Sequence, residues 1–446
     1  MFLETLSFSP GNPTGAGDSY EAALSKSRRL FVMALAAGLL MPPAAPGTAE
    51  TVSDRSAIDA LLERRAAAVI RGDKDAFMST VAGLSPSFRR RQSSLFNRMA
   101  LVPLQSYRLS VAWERFGDLA TPQDRRAYPE ADAVVIPVTE ERYRLAGFDR
   151  RDAIEDLFYT YVKQEGEWLI AEDTDTDDLT LYSARHPWDL APIRVADQGH
   201  FLLLTPKCRT ETRCGSAPPN VLLLAEAALR RVDRYWRPAW PHQMPLIVPR
   251  SARELKRLLQ LTFDVGNFVA FAYATVDASQ GFRFAGHRVF LNPNAFVGRP
   301  RDSTLDILAH EFVHIATRSV SGPFVPAFVE EGIAEYVRHE GAAADLEFLE
   351  SEVASGRFDG RLPEDYEFTV GASIDIFRSY QESYSAVRFF IRRWGLRSFT
   401  RFYRLLGRQR IRPGTGEYHV DRSLRLTIGL DLDEFERAWA SSIAGS

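Results

Sequence analysis

His310-Glu311-Phe312-Val313-His314 sets two imidazoles four residues apart, with a carboxylate directly after the first. On an α-helix four residues make slightly more than one turn, so both rings leave one face and converge on one spot. That is a device for holding zinc. Glu311 stands one residue round from the first ligand, where it can take the proton of a water that the metal has acidified.

The motif needs a buried helix to carry it. Leu305, Ile307, Leu308, Phe312, Val313 and Ile315 supply an apolar run, and Ser303 with Asp306 forms an S-x-x-D pattern that predicts the helix start. A second helix is predicted over 328–339, and Glu330-Glu331-Gly332-Ile333-Ala334-Glu335-Tyr336 lies within it.

These two segments resemble the gluzincin metallopeptidases, with H-E-x-x-H on one helix and a glutamate ligand on the next. Within that group the chain looks most like the peptidase MA-like family, whose pattern runs through a short proline-containing loop into E-G-x-A-x-Y. The resemblance implies Glu331 as third zinc ligand beside His310 and His314, with Glu330 the near alternative. Sixteen residues separate His314 from Glu331, a connection slightly shorter than in the thermolysin and large aminopeptidase groups. Glu335 matches a position where thermolysin-like enzymes carry an acid that orients a histidine ligand. The alternative for Glu335 is an exposed helix acid.

An oxyanion needs a donor besides the metal. Ser379-Tyr380-Gln381-Glu382-Ser383-Tyr384 resembles the Y-x-x-G/S element at the start of a late helix in aminopeptidase-type gluzincins. That implies Tyr380 as the donor and Ser383 at the small-residue position, with Tyr384 in reserve. Packing aromatics are the alternative reading of both tyrosines. His339 is either an additional proton donor or a satisfied surface histidine. Aminopeptidases of this class also carry a G-x-M-E-N element whose glutamate grips the substrate amine, whereas residues 284–294 contain no acid at all. The resemblance therefore favours an endopeptidase, with 288–291 as an edge strand for an extended peptide.

A chain of 446 residues, 45% hydrophobic, has room for two or three domains. A formal net charge of −3 gives no reason to invoke nucleic acid or an anionic membrane. Residues 1–49 read as an export segment and not as a fold. Arg28-Arg29 precede an apolar run over 30–41, then Pro42-Pro43 and small residues lead to a cleavage site after Ala49. The run is short for a membrane span, so the expected location is extracytoplasmic, with an uncleaved signal anchor as the variant. The chain's two cysteines, Cys208 and Cys214, lie close together in a turn-rich stretch, and in an exported chain they predict a loop-closing disulfide.

The fold class expected is α+β, in two domains. Over 50–190, helices at 57–69, 74–81 and 88–99 precede strands at 106–116, 131–138, 153–162 and 168–171. This order resembles the cone-like nuclear transport factor 2-like (SnoaL-like) modules, helices packed on a curved antiparallel sheet. The acidic run 173–178 lacks the turn glycine and closing glutamate of an EF-hand, so it reads as a solvated loop, with 186–192 as linker. Over 191–446 the resemblance implies a zincin-type domain: a small mixed sheet, the H-E-x-x-H helix, and a helical C-terminal lobe. The leading expectation is an exported zinc endopeptidase with one zinc per chain and a peptide or protein substrate. The alternatives are a zinc-retaining, non-proteolytic peptide or cell-wall binding protein, and an aminopeptidase-like exopeptidase.

Overall fold

A computed structural model of the chain describes residues 2–8, 52–208, 217–261, 265, 268–277, 283–322, 325–342, 346–368, 372–408 and 416–444. The stretch 28–49, expected from sequence to be an export segment, and Cys214 lie outside these residues.

The chain is α+β, as expected. A first strand, β1 (Phe2–Phe8), is followed by helices α1 (Val52–Arg71), α2 (Lys74–Met78) and α3 (Pro86–Met99). Ser85 caps α3 by accepting the Phe88 N–H, and Pro86 occupies the first turn, where no amide hydrogen is needed. Then come β2 (Leu104–Val111), α4 (Pro122–Ala127), β3 (Ala133–Val135), β4 (Thr139–Leu145), β5 (Ala153–Leu157), β6 (Thr160–Gln164) and β7 (Glu167–Glu172). They form two three-stranded antiparallel sheets, ordered β2-β4-β5 and β3-β6-β7. The strand expected over 153–162 is thus two strands in different sheets. β4 has no counterpart in the sequence reading, although its burial alternates strictly along its length.

After α5 (Pro187–Leu190) the chain enters β8 (Ile193–Gln198), β9 (Phe201–Pro206), α6 (Val221–Tyr235), β10 (Met244–Ile247), α7 (Ala252–Leu258), β11 (Phe268–Asp277) and β12 (Arg283–Leu291). The remainder is helical: α8 (Arg301–Thr317), α9 (Ala327–Arg338), α10 (Glu347–Ala354), α11 (Ser373–Trp394), α12 (Leu396–Gly407), α13 (Gly416–Ile428) and α14 (Leu432–Ala444).

A six-stranded mixed sheet, ordered β1-β11-β12-β10-β9-β8, divides the molecule. Successive side chains of a strand point to opposite faces, and here both faces are covered. Leu246, Val248, Ala270, Ala272, Val289 and Leu291 face one core, shared with α6, α8, α9 and α11. Ile247, Phe271, Tyr273 and Phe290 face the other, shared with Ile58, Tyr143, Ala153 and Trp188 of the N-terminal module. The module therefore lies against the sheet face turned away from the metal-motif helix.

Four expectations change. Residues 288–291 are not a sheet edge, because β12 pairs with β11 on one side and with β10 at Val289 and Phe290 on the other. β1 takes the edge position beside β11, so the first fifty residues do contribute an element to the fold. The 186–192 stretch is core as much as linker, since His186 and Trp188 are buried and their rings stack at 4.6 Å. In the acidic run Asp173 is buried against Arg185, and Asp175 accepts hydrogen bonds from Tyr128 and Thr160, so neither is a solvated loop acid.

Candidate metal centre

Two helices bring the donors together. α8 begins at Arg301 after Pro300, so Ser303 and Asp306 are not its cap; Asp306 instead accepts from Arg231 of α6 at 2.6 Å. Every residue from Ile307 to Thr317 is buried, and Phe312 stacks on Phe201 of the sheet at 5.3 Å. The helix is held on both flanks, which leaves the His310 and His314 face turned toward α9.

α9 starts at Ala327 without a capping side chain from Pro326. Asp365, on the 3-10 turn Asp365–Phe368, takes the Ala327 N–H at 2.8 Å, placing a carboxylate at the positive end of the helix. Four residues on, Glu331 faces α8. Gly332 then has a packing reason: a Cβ there would lie 2.5 Å from Val387 Cγ2 and 2.6 Å from the Ser383 carbonyl oxygen. Absence of that carbon lets α11 lie directly on α9, and Ser383 is the small residue at the crossing.

His310 Nε2 and His314 Nε2 are 3.1 Å apart. Glu331 Oε2 lies 3.4 Å from the first and 3.8 Å from the second. All three side chains are fully buried. Zinc at about 2.0–2.1 Å from each ligand in tetrahedral geometry would space the ligand atoms roughly 3.3–3.4 Å apart, and the three observed edges bracket that value. Among the described residues, this is the group of His, Cys, Asp and Glu that can hold a metal ion. A carboxylate and two imidazole nitrogens converging away from water suit a cation, so the residues present fit a metal.

Around this trio the charges are ordered. Glu335, one turn beyond Glu331, sets Oε1 at 2.8 Å from His310 Nδ1. Its carboxylate also meets Arg338 Nη1 at 3.0 Å and His339 Nε2 at 3.2 Å. Burial alone would raise the Glu335 carboxyl, but Arg338, His310 and His339 hold it well below the usual carboxylate range. For His310, burial is outweighed by Glu331 and Glu335, and without a metal its pKa stands at about 10. Burial, with His310 and Arg318 adding to it, pushes His314 well below the ordinary histidine value. The cluster thus draws one positive charge to the His310 side, by proton or by metal.

The remaining sequence candidates separate in space. Glu311 is fully buried, next to His310 on α8. Glu330 is turned away from the trio and accepts from Ser321 Oγ at 2.5 Å and Tyr403 Oη at 3.2 Å. Tyr380, in the second turn of α11, is buried with its ring 6.5 Å from that of His310 and edge-on to Phe368 at 5.5 Å. Tyr384 donates to the Ala342 carbonyl and lies against His339, which ties it to the far end of α9. Arg318 was not anticipated. It sits one turn past His314 and donates to the carbonyls of Ala272 and Tyr273 at 2.8 and 3.0 Å. Its only sequence signal is the four-residue step from His314.

No protein-family model matches the chain, and no curated protein is significantly similar to it.

Proposed function

We propose that the chain is an exported, zinc-dependent endopeptidase. The observation that carries this reading is the buried His310-His314-Glu331 triangle, with edges of 3.1, 3.4 and 3.8 Å, on the helix that also bears Glu311. Two imidazoles and one carboxylate are a zinc complement that leaves a fourth position for water or substrate. Zinc, when bound, supplies a Lewis acid that acidifies water and polarises a carbonyl.

The chain's own groups do the rest. Glu335 Oε1, 2.8 Å from His310 Nδ1, favours the tautomer that carries its proton on Nδ1, which leaves the Nε2 lone pair for the shared point. Glu311 takes a proton from the attacking water at its carboxylate and passes it to the leaving amide nitrogen. Tyr380 donates to the developing oxyanion. The acid-free 284–294 stretch favours cleavage at internal bonds over release of N-terminal residues. Arg28-Arg29, the apolar run and the small residues ending at Ala49 support export.

A second reading has its own observation. Glu311, His310 and Glu331 are each 0% exposed, which suits a protein that retains its metal and only binds a peptide or cell-wall component.

The test pairs wild type with Glu311→Gln on an internally quenched, N-acetylated peptide. Wild type is expected to cut it in a chelator-sensitive reaction, and the variant to keep stoichiometric zinc while losing at least about 10²-fold in rate. Metal-loaded wild type that cuts no peptide selects the second reading. Release of single residues from unblocked peptides only would make the enzyme an aminopeptidase.

A further inference from the structure

The N-terminal module and the metal helix lie on opposite faces of one sheet, yet they grip the same hairpin. On the module side, β5 approaches β11 and β12 so closely that a Cβ on Gly286, at φ +57°, would lie 2.5 Å from Ala153 Cβ. The Ile154 N–H is donated to Thr275 Oγ1 at 3.1 Å, which in turn donates to the Ala285 carbonyl at 3.2 Å. Tyr273 donates its hydroxyl to Glu155 Oε1 at 2.7 Å. Arg288 of β12 makes a buried two-pronged pair with Asp149, at 2.6 and 2.8 Å. These contacts cluster where the β11–β12 register slips, between Tyr273 and Thr275.

On the other side the same point is held by Arg318. Its guanidinium spans the consecutive carbonyls of Ala272 and Tyr273 and lies 3.3 Å from His287 Nδ1. The Arg318 N–H closes the last turn of α8 onto the His314 carbonyl at 3.3 Å. Tyr273 therefore offers its hydroxyl to the module and its carbonyl to the residue one turn from a metal ligand.

We infer that the N-terminal module is a positioning element of the metal centre, acting through Tyr273 and Arg318. The inference rests on the metal reading of the His310-His314-Glu331 cluster. Both imidazoles ride on α8 and the carboxylate on α9, so the spacing of the donors depends on where the end of α8 is seated. Metal–ligand distances in an occupied site are expected within about 0.2 Å of their standard values, so the seating of α8 bears directly on the donors. A planar fork on two carbonyls of a strand fixes that seat in distance and angle, which a single-point ammonium does not. The strand, in turn, is clamped at the same residue by the module.

Cobalt(II) binding to the full chain tests this by affinity and by the visible spectrum, which reports coordination geometry independently of catalysis. Arg318→Met is expected to weaken binding about tenfold and to shift the spectrum. Arg318→Lys should restore part of both. Tyr273→Phe removes only the hydroxyl on the module side and is expected to shift the spectrum in the same direction, by less. If wild type takes up no cobalt, the metal reading fails and the inference falls with it. If wild type binds and Arg318→Met and Tyr273→Phe match it in affinity and spectrum, the coupling is overturned while the metal site stands. An effect of the Arg318 variants with none from Tyr273→Phe leaves Arg318 as a helix anchor and overturns the module's part. Should Arg318→Met not fold, the lysine and phenylalanine variants still decide the matter.

Discussion

Charge is buried on both faces of the central sheet, and the two burials are built differently. On the module face every acid described here has a matching donor: Asp149 with Arg288, Glu141 with His186 at 2.5 Å, Glu155 with the Tyr273 hydroxyl. On the helical face two imidazole nitrogens and a carboxylate oxygen converge on one point, 3.1–3.8 Å apart, with the nearby arginine, Arg338, bonded to Glu335 and not to the trio. Burying a charge is costly unless it is matched. The module face closes that cost internally and is structural. The helical face closes it by drawing a positive charge, proton or metal, to the point where its donors converge, and that difference separates a site from a seam.

The largest effect should come from breaking the helical side. His314→Ala removes one of three donors, and stoichiometric zinc is expected to be lost with it, along with all chelator-sensitive activity. Elemental analysis showing full zinc in purified His314→Ala would remove the comparison at its functional end.

The seam should respond in stability and not in chemistry. Asp149→Leu leaves Arg288 charged and unmatched, at a cost of about 3–5 kcal/mol. The double variant Asp149→Leu/Arg288→Met removes both charges and is expected to recover most of that loss. Urea midpoints measure both. Equal destabilisation by the single and double variants would mean that the pair is held for shape alone.

Tyr380 tests whether the residues around the metal trio do chemistry or only pack. Tyr380→Phe keeps the ring against His310 and Phe368 and removes the hydroxyl, so kcat is expected to fall by roughly 10²–10³ with little change in KM. If Tyr384→Phe gives that pattern instead, the two tyrosines exchange roles, although the Tyr384 hydroxyl is spent on the Ala342 carbonyl.

What the sequence made legible follows from the range of the interactions involved. His310 and His314 were readable because a helix turns their spacing into geometry without help from the rest of the chain. Glu331 is named only by resemblance to the E-G-x-A-x-Y pattern, with Glu330 left as the near alternative, and what sets Glu330 aside is its bonding to Ser321 and to Tyr403, the latter 73 positions away. Gly332 stood in the E-G pattern, but its reason, the Ser383 carbonyl and Val387, is a tertiary contact. Strand β4 was missed because Thr139-Glu140-Glu141-Arg142-Tyr143-Arg144-Leu145 buries Glu141 where a hydrophobe would normally announce the inner face. Its partner, His186, lies 45 residues on, in a stretch that composition marks as linker. The interior position of β12 was equally hidden, since strand order in a sheet is not a local property. Buried polar pairs on the module face and strand order on the sheet both had to wait for three dimensions.

The smallest expected effect sharpens the comparison through pH. Burial alone would lower the pKa of His186, but Glu141 outweighs it and lifts the imidazole from the ordinary 6.5 to about 9. A raised histidine pKa means that the folded chain holds a proton which the unfolded chain releases. The stabilisation is therefore complete below about pH 6.5 and is lost as pH climbs through about 9, a difference on the order of 3 kcal/mol. On the acid side Glu141 is held below its usual range, so its share is present at neutral pH and disappears only as pH falls through that lowered value. Glu141→Gln removes the partner that lifts His186. At equal zinc loading, the fall in unfolding free energy of wild type between pH 6.5 and 9 should exceed that of Glu141→Gln, while the zinc content of the two stays the same. Parallel pH profiles would show that His186 is neutral in the fold, and Glu141 would then be matched on the module face by a neutral donor and not by a charge.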